Sequence, residues 1–151
     1  MNMLRGFVAG FVATLILSAL MLLKGTMGLM PDLNVIKMLG NMMGAGPATG
    51  WLAHFMIGSV AWGPGFSALY QVLPGRAPWQ KGMVFAAGAW LAMMVLVMPM
   101  AGAGFFGARF GMAAPVMTLV LHMVFGFTLG LVHGRPAEDR DVPHSHGAVT
   151  R

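Results

Sequence analysis

The chain has 151 residues, of which 58% are hydrophobic and only 9% are charged, against roughly 25% charged in an ordinary soluble domain. It has no cysteine, which excludes disulfides and thiolate metal sites, and its net charge of +5 is scattered between apolar runs rather than gathered into a nucleic-acid-binding patch. We therefore expect an all-α integral membrane protein, because a chain with so few polar groups needs lipid as its solvent.

Four apolar stretches approach the length of about 20 residues that crosses a bilayer as a helix. They run over about 4–23, 47–73, 81–98 and 115–133. The first resembles a signal peptide, but its apolar run is too long and no small-residue cleavage site follows, so we interpret it as an uncleaved span. These spans predict a four-helix transmembrane domain over 1–134, followed by a disordered polar tail over 135–151.

A short amphipathic helix is predicted between the first and second spans. Asp32 follows Pro31 and suits an N-cap, and apolar residues recur at helical spacing from there to Met43. A helix of this kind lies in the membrane interface with its apolar face toward the lipid.

Basic residues are unevenly divided between the two ends of the predicted spans. Six lie on one side and three on the other: Arg5, Arg76, Lys81, Arg135, Arg140 and Arg151 against Lys24, Lys37 and Arg109. Because loops rich in lysine and arginine stay in the cytoplasm, this bias predicts a bacterial inner-membrane protein with both termini cytoplasmic.

An internal repeat is visible when the two halves are aligned. The pattern Pro-x6-His-x3-Gly opens spans two and four, as Pro47, His54 and Gly58 and again as Pro115, His122 and Gly126. Spans one and three align more loosely, through the Arg5-Gly6 and Lys81-Gly82 pairs. A unit of two spans returns the chain to its starting side, so the pattern predicts two tandem helix pairs related by a pseudo-twofold axis along the membrane normal.

Small residues at helical spacing predict the surfaces through which the helices pack. Close backbone approach matters in lipid, where apolar side chains gain nothing by leaving one apolar solvent for another. The predicted packing residues are Gly6, Gly10, Gly58, Gly126, Gly130 and Gly134. They favour packing within the monomer, and the alternative is that one glycine face docks a partner helix. Pro64 is expected to kink or locally unwind the second span.

His54 and His122 are the ionisable residues well inside the spans, at equal depth if the prolines mark the first helical turns. Ionisable groups at such depth are costly and are candidates for function. Three interpretations stay open: neutral imidazoles hydrogen-bonded for structure, ligands of one haem b or metal ion, or a proton-responsive or polar-substrate site. Histidine is a usual axial haem ligand, and the glycines nearby would make room for a macrocycle.

Other chemistry has less support in the residues. The 17 methionines raise the possibility of a copper site, but thioethers also fill irregular apolar gaps. No span contains a carboxylate, and Ser18, Ser59 and Ser67 lack an evident activating base. We therefore predict that the protein is not an enzyme.

Several short segments together resemble a family of small bacterial and archaeal four-helix membrane proteins classed as a domain of unknown function. They are the segment from Met30 to Gly40, His54-x3-Gly58, Met98-Pro-x-Ala-Gly102 and His122-x3-Gly126-x3-Gly130. The resemblance covers about 4–134 and implies the four-helix fold. It implies no activity and transfers no catalytic residue.

These observations favour a non-enzymatic inner-membrane protein that serves as an accessory or packing subunit of a larger membrane complex. One alternative is a bundle that binds haem b or a metal through His54 and His122. Another is a small oligomeric transporter or channel. The expected partners are the lipid bilayer and either other membrane subunits or further copies of the chain, and nucleic acid is not among them.

Overall fold

The computed structural model describes residues 3–134, and within that range the chain is helical and contains no β-strand. The helices are α1 (Met3–Thr26), α2 (Val35–Met42), α3 (Pro47–Met56), α4 (Gly63–Leu69), α5 (Pro78–Ala92), α6 (Met98–Met100) and α7 (Ala113–His133). A first π segment, Ile57–Trp62, joins α3 to α4, and a second, Met93–Val97, joins α5 to α6. A 3-10 helix at Phe105–Phe110 precedes α7. The predicted tail at 135–151 lies outside the described residues.

Three helical stretches are long and apolar enough to cross a membrane. They are Met3–Thr26, Pro78–Met100 and Ala113–His133. Each contains one of the predicted spans at 4–23, 81–98 and 115–133 and extends a few residues beyond it. The expectation of an all-α protein is thus confirmed for the described residues, and these three elements have the length and composition expected of membrane-spanning helices.

Three of the four predicted spans meet this length and hydropathy, and the stretch predicted as a span at 47–73 does not. In the structure this stretch is a segmented helix over 47–69, made of α3, the first π segment and α4. Its polar and small residues, among them His54, Ser59 and Ser67, lower its hydropathy below that of its neighbours. The break into short segments has a local cause in Pro64.

Both π segments lie directly before a proline. The first ends at Trp62, two residues before Pro64, and the second ends at Val97, two residues before Pro99. Proline has no N–H to donate to the carbonyl four residues earlier, and its ring clashes with that carbonyl, so the preceding turn must widen or bend. The expected disturbance at Pro64 therefore takes the form of an inserted π turn, a feature that often marks functional sites.

The amphipathic helix between the first two spans is α2, and its cap differs from the one predicted. The side chain of Asn34, rather than Asp32, accepts a hydrogen bond from the backbone N–H of Lys37. Asp32 fails as the cap because the first helical turn begins only at Val35. The buried face of α2 carries Ile36 and Gly40 and packs on α3.

The helices pack in two pairs that meet through α1 and α7. The segmented helix packs along α1, α5 packs along α7, and α1 packs against α7. One buried cluster joins these helices, through Ala9, Ala13, Phe66, Phe85, Ala86, Phe125 and Leu129. A second cluster, around Met94 and Met98, holds the loop residue Leu33 against the other end.

Glycines stand where the paired helices come closest. A Cβ added to Gly10 would lie 2.5 Å from the Gly58 carbonyl oxygen and 2.8 Å from the Gly63 Cα atom. A Cβ added to Gly126 would meet the Gly82 backbone and the Ala86 side chain. All six predicted packing glycines lie in such contacts within the chain: Gly6, Gly10, Gly58, Gly126, Gly130 and Gly134.

Candidate functional site

A cavity of about 290 Å³, partly open to the surface, lies between the two helix pairs. Its walls come from α1, α2, the segmented helix, α5 with the second π segment, and α7. Most lining side chains are apolar, and the polar exceptions are His54, His122, Thr14 and Thr118. The structure therefore brings the two predicted histidines, which are far apart in sequence, to one site.

His122 is fixed by a hydrogen bond within α7. Its Nδ1 lies 2.8 Å from the backbone carbonyl oxygen of Thr118. A carbonyl oxygen can only accept, so Nδ1 carries the proton, and in the neutral imidazole Nε2 is left with a lone pair. The Thr118 hydroxyl donates to the Ala114 carbonyl oxygen at 2.8 Å and accepts from Trp90 Nε1 at 3.1 Å. These contacts hold one wall of the cavity in place.

His54 is buried, with 9% of its surface exposed, and its Nε2 has no hydrogen-bond partner among the described residues. The rings of Trp51 and Phe55 contact it edge-on, with centroids 5.9 and 5.8 Å away. A buried polar atom without a partner costs about 1–3 kcal/mol, so its presence calls for a physical reason. Because Nε2 is also shielded from solvent, a partner could reach it only if the surrounding side chains moved.

The donor set limits what this cavity can hold. Within residues 3–134 there is no group of three or more His, Cys, Asp or Glu side chains that could bind a metal ion. Two methionines, Met21 and Met93, line the cavity beside the histidines, so thioethers are present there. The methionines of the α1–α2 loop and of α2 are not among the lining residues. A bare metal ion would therefore rest chiefly on His54 and His122.

The two histidines of the cavity are suitable ligands for haem, but the volume of the cavity is too small for it. The bond from His122 Nδ1 to a backbone carbonyl is the arrangement that orients metal-bound histidines. However, the cavity is only about twice the size of the ~150 Å³ apolar cavity that holds benzene. A haem is several times larger than benzene, so it would require the helices to move apart.

A second polar pair, which the sequence did not predict, lies at the opposite end of the helices. The Ser67 hydroxyl and His133 Nε2 are 2.8 Å apart, although Ser67 was expected to lack a base. The hydroxyl is buried where α4 crosses α1, and a Cβ added to Gly6 would collide with it. A substrate has no room at this crossing, so the pair holds helices together. Its members are 66 positions apart in the sequence, which explains why no local pattern revealed it.

Replacing Ser67 with alanine is expected to lower the free energy of unfolding by about 1–2 kcal/mol, because His133 loses a partner while its Nδ1 is buried and has no hydrogen-bond partner among residues 3–134. Ser59→Ala is the matched control. The Ser59 hydroxyl is buried without a partner, so its removal should be neutral or stabilising. Unfolding in mixed detergent micelles measures both, and equal losses in the two variants would contradict this assignment.

Apolar helices of membrane-crossing length around a cavity define the general class, a helical protein compatible with a membrane. A profile of the family of unknown function DUF6789 matches residues 1–144, so the chain belongs to that family. No curated protein and no solved structure is significantly similar to it. The resemblance to a family of unknown function is thereby confirmed. Because membership supplies no activity, function has to be argued from the site itself.

Proposed function

We propose that the segmented helix also crosses the membrane, which makes four crossings in two tandem helix pairs. The alignment that equates Gly6 with Gly82 places Gly10 on Ala86, and the histidine pattern places Gly58 on Gly126. The Gly10–Gly58 contact in the first pair thus has a counterpart in the Ala86–Gly126 contact of the second. This correspondence of contacts adds a structural observation to the sequence pattern in support of the duplication.

The first π segment accounts for a slip in the alignment. The histidine pattern would pair Gly63 with residue 131, but the corresponding glycine is Gly130, one position earlier. A π turn contains one extra residue, so the insertion at Ile57–Trp62 accounts for this shift. The Gly6–Gly63 contact then matches Gly82–Gly130. With four crossings, both ends of the chain lie on one side, and the excess of basic residues there favours the cytoplasm.

We propose that the protein is a non-enzymatic membrane protein that binds a small, lipid-soluble molecule in the cavity between His54 and His122. The observation that carries the proposal is that both histidines line this one cavity. Buried ionisable groups in a membrane are costly and are kept where they serve a ligand or pathway. The His122 ring, fixed by the bond from its Nδ1 to the Thr118 carbonyl oxygen, offers such a ligand an acceptor at Nε2.

The accessory-subunit role predicted from the sequence has less support in the geometry. It depended on a glycine face left free for a partner helix. The six predicted packing glycines instead contact helices or loops of their own chain. The role remains a hypothesis, and the cavity supports ligand binding more directly.

Organic extraction of the purified protein, followed by mass spectrometry, tests the binding proposal. Ala92 lines the cavity, so Ala92→Leu should fill it, whereas Ala19 is exposed on α1 and Ala19→Leu should not. We expect the wild type and Ala19→Leu to carry the same molecule. Ala92→Leu and the double variant His54→Phe/His122→Phe should carry at least roughly tenfold less, which corresponds to a loss of about 1.4 kcal/mol.

Two outcomes would contradict the proposal. One is an extract that does not differ among the four proteins. The other is a Soret band in the visible spectrum that disappears in both His54→Ala and His122→Ala, which would support haem ligation and show that the helices do move apart.

A further inference from the structure

We infer that the ligand of this cavity is an uncharged phenol-class molecule that enters sideways from the lipid and donates its hydroxyl to His122 Nε2. The inference rests on the proposed function and names the chemical class that the same site would accept. It depends on three features of the cavity: the hydrogen-bonding sense of the histidine, the lining, and the position of the opening.

The hydrogen-bonding sense comes from the fixed tautomer of His122. Because Nδ1 donates to the Thr118 carbonyl oxygen, the neutral ring presents an acceptor at Nε2. A ligand with only acceptors, such as a ketone or an ether, would leave this atom unpaired. A ligand with a hydroxyl or N–H group would satisfy it, and buried groups built to bond a donor reject analogues that lack it.

No Lys, Arg, Asp or Glu lines the cavity, so the lining disfavours charged ligands of either sign, and its aromatic residues favour a ring. Asp32 is the sole carboxylate within residues 3–134, and it does not line the cavity, so a cation would find no counter-charge there. Trp62 and Phe125 offer aromatic surface to a flat molecule. The volume, about twice that of a benzene-binding cavity, suits a single substituted ring.

The cavity opens to the surface between two helices that are not packed together at this level, and in the proposed four-crossing arrangement this opening would face the lipid. Of the residues that line the cavity, only Ile57 and Leu96 are exposed, at 39% and 60%. Ile57 lies on the segmented helix, which packs on α1, and Leu96 lies on the second π segment, which packs on α5, α6 and the 3-10 helix. The two segments do not pack closely on each other. Trp62 and Phe66 contact Phe85 and close the gap farther along. A molecule dissolved in the bilayer would therefore reach the histidines without crossing water.

Three probes of nearly equal shape test this class in the intact protein in lipid nanodiscs: thymol, its methyl ether, and p-cymene. Thymol has a hydroxyl, the ether has an acceptor only, and p-cymene has no oxygen. We expect thymol to bind roughly tenfold more tightly than either analogue, the ratio that one ordinary hydrogen bond supplies. Empty nanodiscs measure partition into lipid, and Ala92→Leu, which fills the cavity, measures binding elsewhere on the protein.

His122→Phe should bring the three affinities to within about twofold, since the acceptor is gone and the ring remains. In wild-type protein labelled with ¹⁵N-histidine, thymol should also shift the Nε2 resonance of His122, a readout that needs no variant. Equal binding of the three probes, abolished by Ala92→Leu, would overturn the phenol assignment while leaving the cavity as a binding site. Binding of none of them above the nanodisc background would count against the phenol assignment and the proposed function together.

Discussion

Replacing Gly126 with alanine is expected to destabilise the protein by about 3 kcal/mol or more, although the change adds one methyl group. The new Cβ would collide with the Gly82 backbone and with the Ala86 side chain of α5. Backbone atoms cannot turn aside as a flexible side chain can, so α5 and α7 would have to separate. Adding a methylene to a well-packed core usually costs about 1–3 kcal/mol, and a backbone contact belongs at the upper end.

Gly88→Ala is the matched control on the same helix pair. No atom lies within 4 Å of a Cβ added to Gly88, so the space there is open. Glycine in a helix interior is about 0.5–1 kcal/mol less favourable than alanine, and the control should therefore stabilise the protein. Unfolding of both variants in mixed detergent micelles measures the difference.

The two substitutions are thus predicted to have opposite signs. If the free energy of unfolding of Gly126→Ala fell by no more than about 0.5 kcal/mol, α5 and α7 could separate at little cost. That result would count against close glycine packing at this crossing. The corresponding substitution in the first pair, Gly10→Ala, should behave like Gly126→Ala, because its Cβ would lie 2.5 Å from the Gly58 carbonyl oxygen.

The helices that the sequence predicted well are those whose apolar runs are long and unbroken. The span at 4–23 became α1, and the span at 115–133 became α7, with small differences at the ends. Length and hydropathy suffice there because lipid requires each backbone group to bond within its own segment. Length and hydropathy are poorer predictors at 47–73, where a π turn and several polar side chains interrupt the apolar helix.

The candidate site was predictable only in part. The repeat placed His54 and His122 at equal depth, because matching prolines precede both. That they line one cavity depends on how the two pairs meet, and no local pattern specifies this. Contacts between distant residues, such as the Ser67–His133 bond, are invisible for the same reason. The N-cap of α2 was misassigned because Asp and Asn are both favourable N-cap residues. The helix begins at Val35, so Asn34 rather than Asp32 occupies the cap position.

Replacing Lys24 with methionine should also have a large effect. We expect the free energy of unfolding to fall by about 3 kcal/mol and the loop beside the cavity to loosen. Lys24 Nζ donates hydrogen bonds of 2.9 Å to the carbonyl oxygens of Leu29, Met30 and Leu33. An ammonium group has three donors, so all are used, and bonds from a charged group contribute about 1.5–3 kcal/mol each without adding fully. Methionine keeps much of the stem and removes every bond.

The loop held by Lys24 has consequences beyond its own stability. It leads from α1 to α2, it contains Met30 at a positive φ of 49°, and it buries Leu33 against Met94 and Met98. Val35 and Leu39 of α2 line the cavity, so a loosened loop should also loosen that wall.

Hydrogen exchange is therefore expected to rise from residue 27 through α2 in Lys24→Met. It should stay unchanged in Lys37→Met, whose side chain is exposed and whose unfolding free energy should shift by no more than about 0.5 kcal/mol. Equal effects of the two variants would mean that the loss of a positive charge, rather than the three bonds, governs this end of the protein.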